Sequence, residues 1–298
     1  MANQKHLIRI AMLALAASAS AGASAQSTTL NGVTQQQTGP MQEQTINLGN
    51  MAREGKSNTN ASNVRQNQMG ALNRQGLSAG NASGNASSQT SVRNTRQTQA
   101  GALNNQSLEV GNASGNARAR AELGSGSQSQ FGALNEQNAR IGSASGNGKT
   151  DTTVRSMNQV QAGALNRQSA SVGNASGNGS ARVTVGSLNQ GQAGALNNQQ
   201  AEIGNASGNG KSNVTVGNVM QGQAGALNNQ RLRIGNASGA GQSNVRVGSV
   251  VQGQAGAMNN QSMSVGNADG GGSNNVSVGG VVQGQAGMYG HDSVRIGN

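Results

Sequence analysis

The sequence lacks the residues on which most compact domains and many enzymes depend. Its 298 residues include no cysteine, no tryptophan, one proline, one tyrosine, one phenylalanine and two histidines. The absence of cysteine excludes disulfides and cysteine-ligated zinc, and the near absence of proline excludes collagen. Hydrophobic residues make up 33% of the sequence, below the roughly 45–50% of ordinary globular domains. A thick hydrophobic core is therefore not expected.

The few residues suited to catalysis do not form a convincing active site. His6 lies in an apolar leader, whereas His291 is close to Tyr289 and Asp292 near the end of the sequence. We interpret this second group as part of a degenerate last repeat rather than a catalytic triad. The sequence therefore predicts a protein that is not an enzyme and that carries no cofactor and no metal site.

The N-terminal segment, residues 1–25, is typical of a secretory signal peptide. Lys5 and Arg9 precede a short apolar run at 10–17, and small residues at 23–25 precede the predicted cleavage. The run is too short to span a bilayer, and no later stretch is apolar enough to span one as a helix. The sequence predicts a secreted, extracellular or cell-surface protein without a membrane span.

The rest of the sequence, residues 26–298, is one repeat domain with a period of 31 residues and no insertion. The period predicts nine strand–turn–strand units of 23 residues between positions 28 and 298, joined by 8-residue loops. A key glycine marks each copy, in most of them as the first residue of Gly-Ala-Leu-Asn: Gly39, Gly70, Gly101, Gly132, Gly163, Gly194, Gly225, Gly256 and Gly287.

Within one unit, residues 214–236, apolar and polar residues alternate in two stretches, which predicts two half-buried strands. The alternation of the first strand slips by one residue at Gly217, which indicates a bulge. A turn is predicted at 225–228. In the second strand, Leu232 and Ile234 share a face that is apolar in all nine copies.

Stacking the units in parallel, with like residues in register, is the simplest way to pair these strands. The predicted fold is therefore all-β, a β-solenoid or cross-β stack of nine rungs, roughly 43 Å long at about 4.8 Å per rung. Gly235 and its equivalents end the second strand of each unit, where we expect a positive φ.

Amide side chains recur at fixed distances from the key glycine: two glutamines before it, and an asparagine and a third glutamine after it. We expect them to face the core and to stack, so that each amide oxygen accepts from the NH₂ of the next rung. Solvated polar faces or ancestral duplication are the alternative interpretation. In three successive repeats the predicted ladder residues are Gln190, Gln192, Gly194, Asn197, Gln199, Gln221, Gln223, Gly225, Asn228, Gln230, Gln252, Gln254, Gly256, Asn259 and Gln261.

The spacing Gln-x-Gly-x-x-Asn, as in Gln223-Ala-Gly225-Ala-Leu-Asn228, resembles the centre of the curlin repeat, and the Gly/Asn/Ala loops are similar to those of Fap-type amyloids. Curlins are secreted subunits of curli, a bacterial functional amyloid. The resemblance covers residues 28–298. It implies self-assembly into extracellular fibrils for biofilm matrix, adhesion and surface attachment. The implied partners are further copies of the same protein, a minor nucleator subunit and an outer-membrane secretion channel.

Two other functions stay open on the residues alone. The solenoid could be a monomeric adhesin, or it could be a surface protein that binds polyanions by charge. Lysine and arginine number 20 against 9 acidic residues, which gives a formal net charge of +11 and would attract DNA or acidic polysaccharide. Because no aromatic residues that could stack on bases accompany the basic residues, we do not expect a dedicated nucleic-acid site. We expect any binding of DNA or acidic polysaccharide to be weak.

Overall fold

A computed structural model of the protein describes residues 25–36, 43–72, 74–103, 105–134, 136–165, 167–288 and 290–296. Every regular element in these ranges is a β-strand. Among the described residues, no helix is long and apolar enough to cross a membrane. The predicted signal peptide, residues 1–25, lies outside the described residues except for Ala25, the first residue of a strand.

Twenty-one strands follow one another along the described residues. In order they are β1 (Ala25–Gln36), β2 (Gln44–Leu48), β3 (Lys56–Asn67), β4 (Gln75–Ala79), β5 (Ser87–Arg93), β6 (Arg96–Thr98), β7 (Gln106–Val110), β8 (Arg118–Ser129), β9 (Gln137–Ile141), β10 (Lys149–Val160), β11 (Gln168–Val172), β12 (Ser180–Asn189), β13 (Gln199–Ile203), β14 (Lys211–Met220), β15 (Gln230–Ile234), β16 (Ala237–Ser238), β17 (Gln242–Val251), β18 (Gln261–Val265), β19 (Ala268–Asp269), β20 (Ser273–Val282) and β21 (Asp292–Ile296).

The strands form two long parallel sheets in which each residue pairs with its equivalent 31 positions away. Val214, for example, pairs with Val183 on one side and Val245 on the other. This arrangement confirms the predicted all-β solenoid. The spatial order is β1-β3-β5-β8-β10-β12-β14-β17-β20 in the first sheet, with β6 also paired to β3, and β2-β4-β7-β9-β11-β13-β15-β18-β21 in the second.

The core is the thin space between these two sheets. Val214, Val216 and Val219 from the first sheet belong to the same buried cluster as Leu232 and Ile234 from the second. Because only a few apolar side chains per rung are needed to fill this space, a sequence with little hydrophobic content can still form it.

The predicted slip of the alternation at Gly217 is confirmed. Inward positions run Ser212, Val214 and Val216 before the slip and Val219 after it. Gly217 is left out of the register pairs between β14 and its neighbours. A Cβ there would collide with the carbonyl oxygen of Gly186 in the preceding rung, so glycine suits this kink.

The segment between two units is an ordered third side of the coil. In the predicted loop 206–213, Ala206 is buried and forms a parallel bridge with Ala237. The last three residues of the loop, from Lys211, belong to β14. At the corner, Asn209 Nδ2 donates to Asn178 Oδ1 of the preceding rung at 3.1 Å. The connection therefore stacks in the same 31-residue register as the strands.

Gly235 adopts a φ of 65°, and its equivalents from Gly49 to Gly266 lie between 58° and 66°, as predicted. A Cβ on Gly235 would also lie 2.7 Å from Val245 Cγ2 in the next rung. Both the backbone conformation and the packing therefore exclude a side chain here.

We expect Gly235→Ala to lower the free energy of unfolding by about 1–3 kcal/mol, since alanine is strained at this φ and overlaps Val245. The measurement is urea unfolding of the monomeric protein. Gly225→Ala is the matched control, because Gly225 has no left-handed φ and no atom lies within 4 Å of the position that a Cβ would take there. Equal losses in the two variants would contradict this interpretation of the coil.

Candidate functional site

The polar end of the core lies beside the turn at 225–228, where buried amide side chains stand in four columns with one member per rung. The columns contain the equivalents of Gln221, Gln223, Gln230 and Asn228, and we name each column by that residue. In the three repeats of the predicted ladder, all twelve amide side chains are buried, with 0–8% of the residue surface exposed. Burial of this kind is costly unless each amide is hydrogen-bonded.

The Gln221 column forms a ladder between rungs over much of its length. Gln97 Nε2 donates to Gln128 Oε1 at 3.2 Å, Gln128 to Gln159 at 3.1 Å, and Gln159 to Gln190 at 3.2 Å. The series is interrupted at Gln221, neither of whose amide atoms has a hydrogen-bond partner, and it resumes where Gln283 Nε2 donates to Gln252 Oε1 at 3.0 Å. The column therefore joins successive rungs from Gln97 to Gln190 and again at the last two rungs.

The Gln223 column bonds differently from the cross-rung ladder expected of it. Gln192, Gln223 and Gln254 donate within their own rung, to backbone carbonyl oxygens six residues later, at 2.7, 2.8 and 2.9 Å. The turn brings that carbonyl oxygen close to the glutamine side chain. Because this backbone acceptor lies in the same rung, the glutamine donates to it instead of to the amide of the next rung. The Gln223 column therefore stabilises the turn.

The Gln230 column is the most deeply buried of the four. Gln199, Gln230 and Gln261 expose none of their surface. Gln192 Nε2 also approaches Gln199 Oε1 at 3.5 Å, which leaves Gln192 Oε1 and Gln199 Nε2 without partners. The Gln223 and Gln230 columns touch at these two residues. The unpaired Gln192 oxygen is an acceptor and the unpaired Gln199 NH₂ group is a donor, so the two columns carry complementary groups.

The Asn228 column is a continuous ladder where it is described. Asn228 Nδ2 donates to Asn197 Oδ1, and Asn259 Nδ2 to Asn228 Oδ1, both at 2.6 Å. Each asparagine also donates to a carbonyl of its own turn, as Asn228 does to Ala224 O at 3.2 Å. The remaining asparagines expected in this column lie outside the described residues: Asn73, Asn104, Asn135 and Asn166.

The conformation of the backbone explains the key glycine at Gly287, which has a φ of 76°, but not those of the three preceding repeats. Gly194, Gly225 and Gly256 have no left-handed φ, and a Cβ on any of them would meet no atom within 4 Å. The positive φ falls on the following residue instead, for example 93° at Ala226. Gly225 is hydrogen-bonded along the stack, from its N–H to Ala193 O at 3.0 Å.

Sequence reasoning missed a further asparagine column at the other end of the second sheet. The backbone N–H of Asn236 donates to Asn205 Oδ1 at 3.0 Å, and that of Asn205 to Asn174 Oδ1 at 2.9 Å. These side chains accept from the rung above at the point where the strand ends. The signal for them was the asparagine that follows the strand-ending glycine in eight of the nine repeats.

Taken together, the columns present a regular array of donors and acceptors along the solenoid axis. Among the described residues, no group of three His, Cys, Asp or Glu side chains lies together as a set of metal ligands. Comparison with protein-family models, with curated proteins and with solved structures finds no match for this protein. The geometry of the stack is therefore the basis for assigning a function.

We expect Asn228→Asp to destabilise the protein at pH 7 by about 2–4 kcal/mol relative to wild type, and much less at pH 3. Burial between Asn197 and Asn259 raises the pKa of the introduced carboxyl above the roughly 3.9 of the unfolded protein. Below about pH 3.9 the carboxyl is protonated in both the folded and the unfolded protein, and a neutral carboxyl still donates and accepts hydrogen bonds. Above this pH the unfolded protein releases the proton, whereas the folded protein must either keep the proton or bury a charge. The loss of stability caused by the substitution therefore grows with pH.

Urea unfolding of both proteins at pH 3 and pH 7 gives this difference. Asn229→Asp is the control, because Asn229 is the next residue and its side chain is exposed. A loss at position 228 that does not change with pH would show that the Asn228 column is solvated rather than buried.

Proposed function

We propose that the protein is a secreted structural subunit that assembles end to end into extracellular, curli-like amyloid fibrils. These fibrils would serve the biofilm matrix, adhesion and surface attachment. The observation that carries the proposal is the last described rung, where no described residue covers the edges of the two sheets or the core between them. Export would use the predicted signal peptide, and the resemblance to curlins implies a nucleator subunit and an outer-membrane channel as partners.

The last rung consists of β20 and β21, each of which pairs on one side only, with β17 and β18. Val294 and Ile296 are 48% and 57% exposed, whereas their equivalents Leu232 and Ile234 are fully buried. Within the described residues, no element covers this end. A row of unpaired backbone groups beside exposed apolar side chains is a template for a further strand.

The first described rung offers the matching surface. β1 pairs only with β3, and β2 only with β4, while Leu30 and Val33 are partly buried against the core. Since both ends are cross-sections of the same 31-residue lattice, β1 and β2 of a second copy can continue the register of β20 and β21. Because these side chains are already about half buried, completing the burial of Val294 or Ile296 in that contact is worth about 1 kcal/mol each.

Polyanion binding by a monomeric solenoid is the alternative function. Part of the basic charge is paired with acids on neighbouring rungs, as in Arg120–Asp151 at 3.6 Å and Arg233–Glu202 at 3.9 Å. These pairs are largely exposed, and such pairs contribute little to stability. Each acid does cancel the charge of the arginine beside it, which weakens the attraction of the surface for a polyanion and favours the structural role.

We expect the mature protein, residues 26–298, to form fibrils that bind amyloid dyes and show a cross-β reflection near 4.7–4.8 Å. Preformed fragments should shorten the lag, because each fragment end exposes the same bare strands. Dye fluorescence with and without seeds, together with fibre diffraction, tests this. A protein that stays monomeric for days at high micromolar concentration with seeds present would favour the alternative, to be measured as binding to acidic polysaccharide over a salt series.

We expect the double variant Val294→Lys, Ile296→Lys to slow seeded elongation at least tenfold, since inward-pointing charges at an edge prevent strand addition. Both side chains are already exposed in the monomer, so its folding should change little. The control is Ser293→Lys, at an exposed outward position of the same strand. Comparable slowing in the control would mean that net charge, rather than the open core, limits growth.

A further inference from the structure

A ladder of exposed apolar side chains runs along the turn edge of the solenoid, one residue per rung. Its members, which we call the leucine ladder, are 42–55% exposed although each belongs to a regular repeat. Over six rung spacings the ladder is about 29 Å long. A contiguous apolar strip of this kind marks an interaction site. The members are Leu72, Leu103, Leu134, Leu165, Leu196, Leu227 and Met258.

Beside the leucine ladder, the outer surface of the C-terminal rungs carries only small side chains. Its far wall is formed by the exposed apolar side chains Met220 and Val251, with Asn189 at the same position in the first of the three rungs. Between the two walls, three successive rungs present only glycine and alanine. We call this floor with its two walls the apolar valley; the floor residues are Gly191, Ala193, Gly194, Gly222, Ala224, Gly225, Gly253, Ala255 and Gly256.

Packing within one copy of the protein does not require the glycines of the valley. Gly222 and Gly253 have no left-handed φ, and an added Cβ would meet no atom within 4 Å. Earlier rungs carry Asn67, Thr98 or Ser129 at the same position. These glycines lie just beyond the ends of β12, β14 and β17, and one reason to keep a glycine where neither φ nor packing requires it is the close approach of another backbone or ligand.

Charge is absent from this part of the surface. Residues 189–198, 220–229 and 251–260 contain no Asp, Glu, Lys or Arg, although the protein as a whole has a formal charge of +11. A polyanion or an acidic peptide would find no partner for its charges here. The occupant must therefore be apolar, and it must present side chains at the rung spacing of about 4.8 Å to follow the valley.

We propose that two copies of this protein pair side by side with their axes parallel, each placing its leucine ladder in the apolar valley of the other. A second copy has both the required spacing and the required lack of charge. A two-fold axis parallel to the solenoid brings ladder to valley on both sides at once. Antiparallel copies would instead set ladder against ladder. The identical, dry, interdigitated rows would form a steric zipper.

The size of the contact ties this pairing to the proposed fibril. Three rungs span about 14 Å and six residues along the strand about 20 Å, so one pair of copies buries roughly 600 Å² in total. Stable interfaces start near 1,000 Å². Pairing of isolated monomers is therefore weak, whereas a fibril repeats the contact at every subunit and gains avidity. The inference thus rests on end-to-end assembly.

The test is the number of subunits across a fibril, measured as mass per length by scanning transmission electron microscopy. We expect two subunits per nine-rung rise in the wild-type protein. The triple variant Gly191→Asn, Gly222→Asn, Gly253→Asn should form fibrils with one, because asparagine fills the valley and Asn67 shows that a rung accepts it there. Seeding and the cross-β reflection should not change.

The matched control is Thr153→Asn, Thr184→Asn, Thr215→Asn, three exposed outward positions of the same sheet on the other side of the Gly217 slip. These fibrils should stay paired. If the valley variant fails to fold, Leu196→Gln, Leu227→Gln, Met258→Gln removes the opposing ladder and should give single filaments as well. Single wild-type filaments, or paired filaments in both the valley and the ladder variants, overturn the proposal.

The outcome without fibrils is also decisive. If the wild-type protein forms none, the proposed function fails, and sedimentation equilibrium of the soluble protein then tests the pairing alone. Because the pairing of isolated copies is weak, the absence of any dimer over a concentration series that extends into the millimolar range would overturn the pairing too. A dimer that the valley variant disrupts would support side-by-side pairing while excluding end-to-end growth.

Discussion

Parallel stacking in a 31-residue register is the constraint on which the rest of the structure depends. Each residue has its own equivalents as its neighbours above and below, as Val214 has Val183 and Val245. A buried side chain must therefore be compatible with a copy of itself. Valine meets this condition by packing, and an amide meets it because it carries both a donor and an acceptor. A buried carboxylate or ammonium does not, which explains why the charged residues of the buried rungs lie at outward positions and corners; Asp292, which stands in the Gln230 column, is exposed in the last described rung.

The same constraint explains which features could be predicted from the sequence. The period and the alternation predict both sheets, the slip at Gly217 and the positive φ of Gly235, because each leaves a mark in every repeat. The bonding of Gln223 leaves no such mark. Stacking alone favours a hydrogen bond between rungs. The carbonyl oxygen of Asn229, which accepts from Gln223 instead at 2.8 Å, is brought within reach only by the path of the turn.

The ordered connection between units was missed for a related reason. Its turn residues are those of a solvated loop, whereas the burial of Ala206 depends on its neighbours in adjacent rungs.

The amide columns also make the stack uneven. Between Gln97 and Gln190 the first column is bonded from rung to rung, while the rung of Gln221 and Gln230 leaves both of those amides without partners. A buried amide without partners costs about 1–3 kcal/mol. The continuous Asn228 column passes through that same rung and holds its turn in register. Register in that one rung thus depends more on asparagine and on the valines of the first sheet than on glutamine, whereas Gln283 and Gln252 are again bonded between the last two rungs.

Parallel stacking in one register does not by itself limit the number of rungs. The last described rung has the same strands as a rung in the middle, although Asp292 replaces the glutamine of the Gln230 column, and under the proposed function growth along the axis depends on what covers that rung. The sides of the stack differ, because outward residues are free to vary between repeats, and the sequence uses that freedom unevenly. The outward side of the second sheet carries charges of both signs, such as Arg233 and Glu202. The side bearing the apolar valley is uncharged, and it has glycine where the fold would accept a larger side chain. If the fibrils form as proposed, this difference would restrict their lateral contact to the side of the valley.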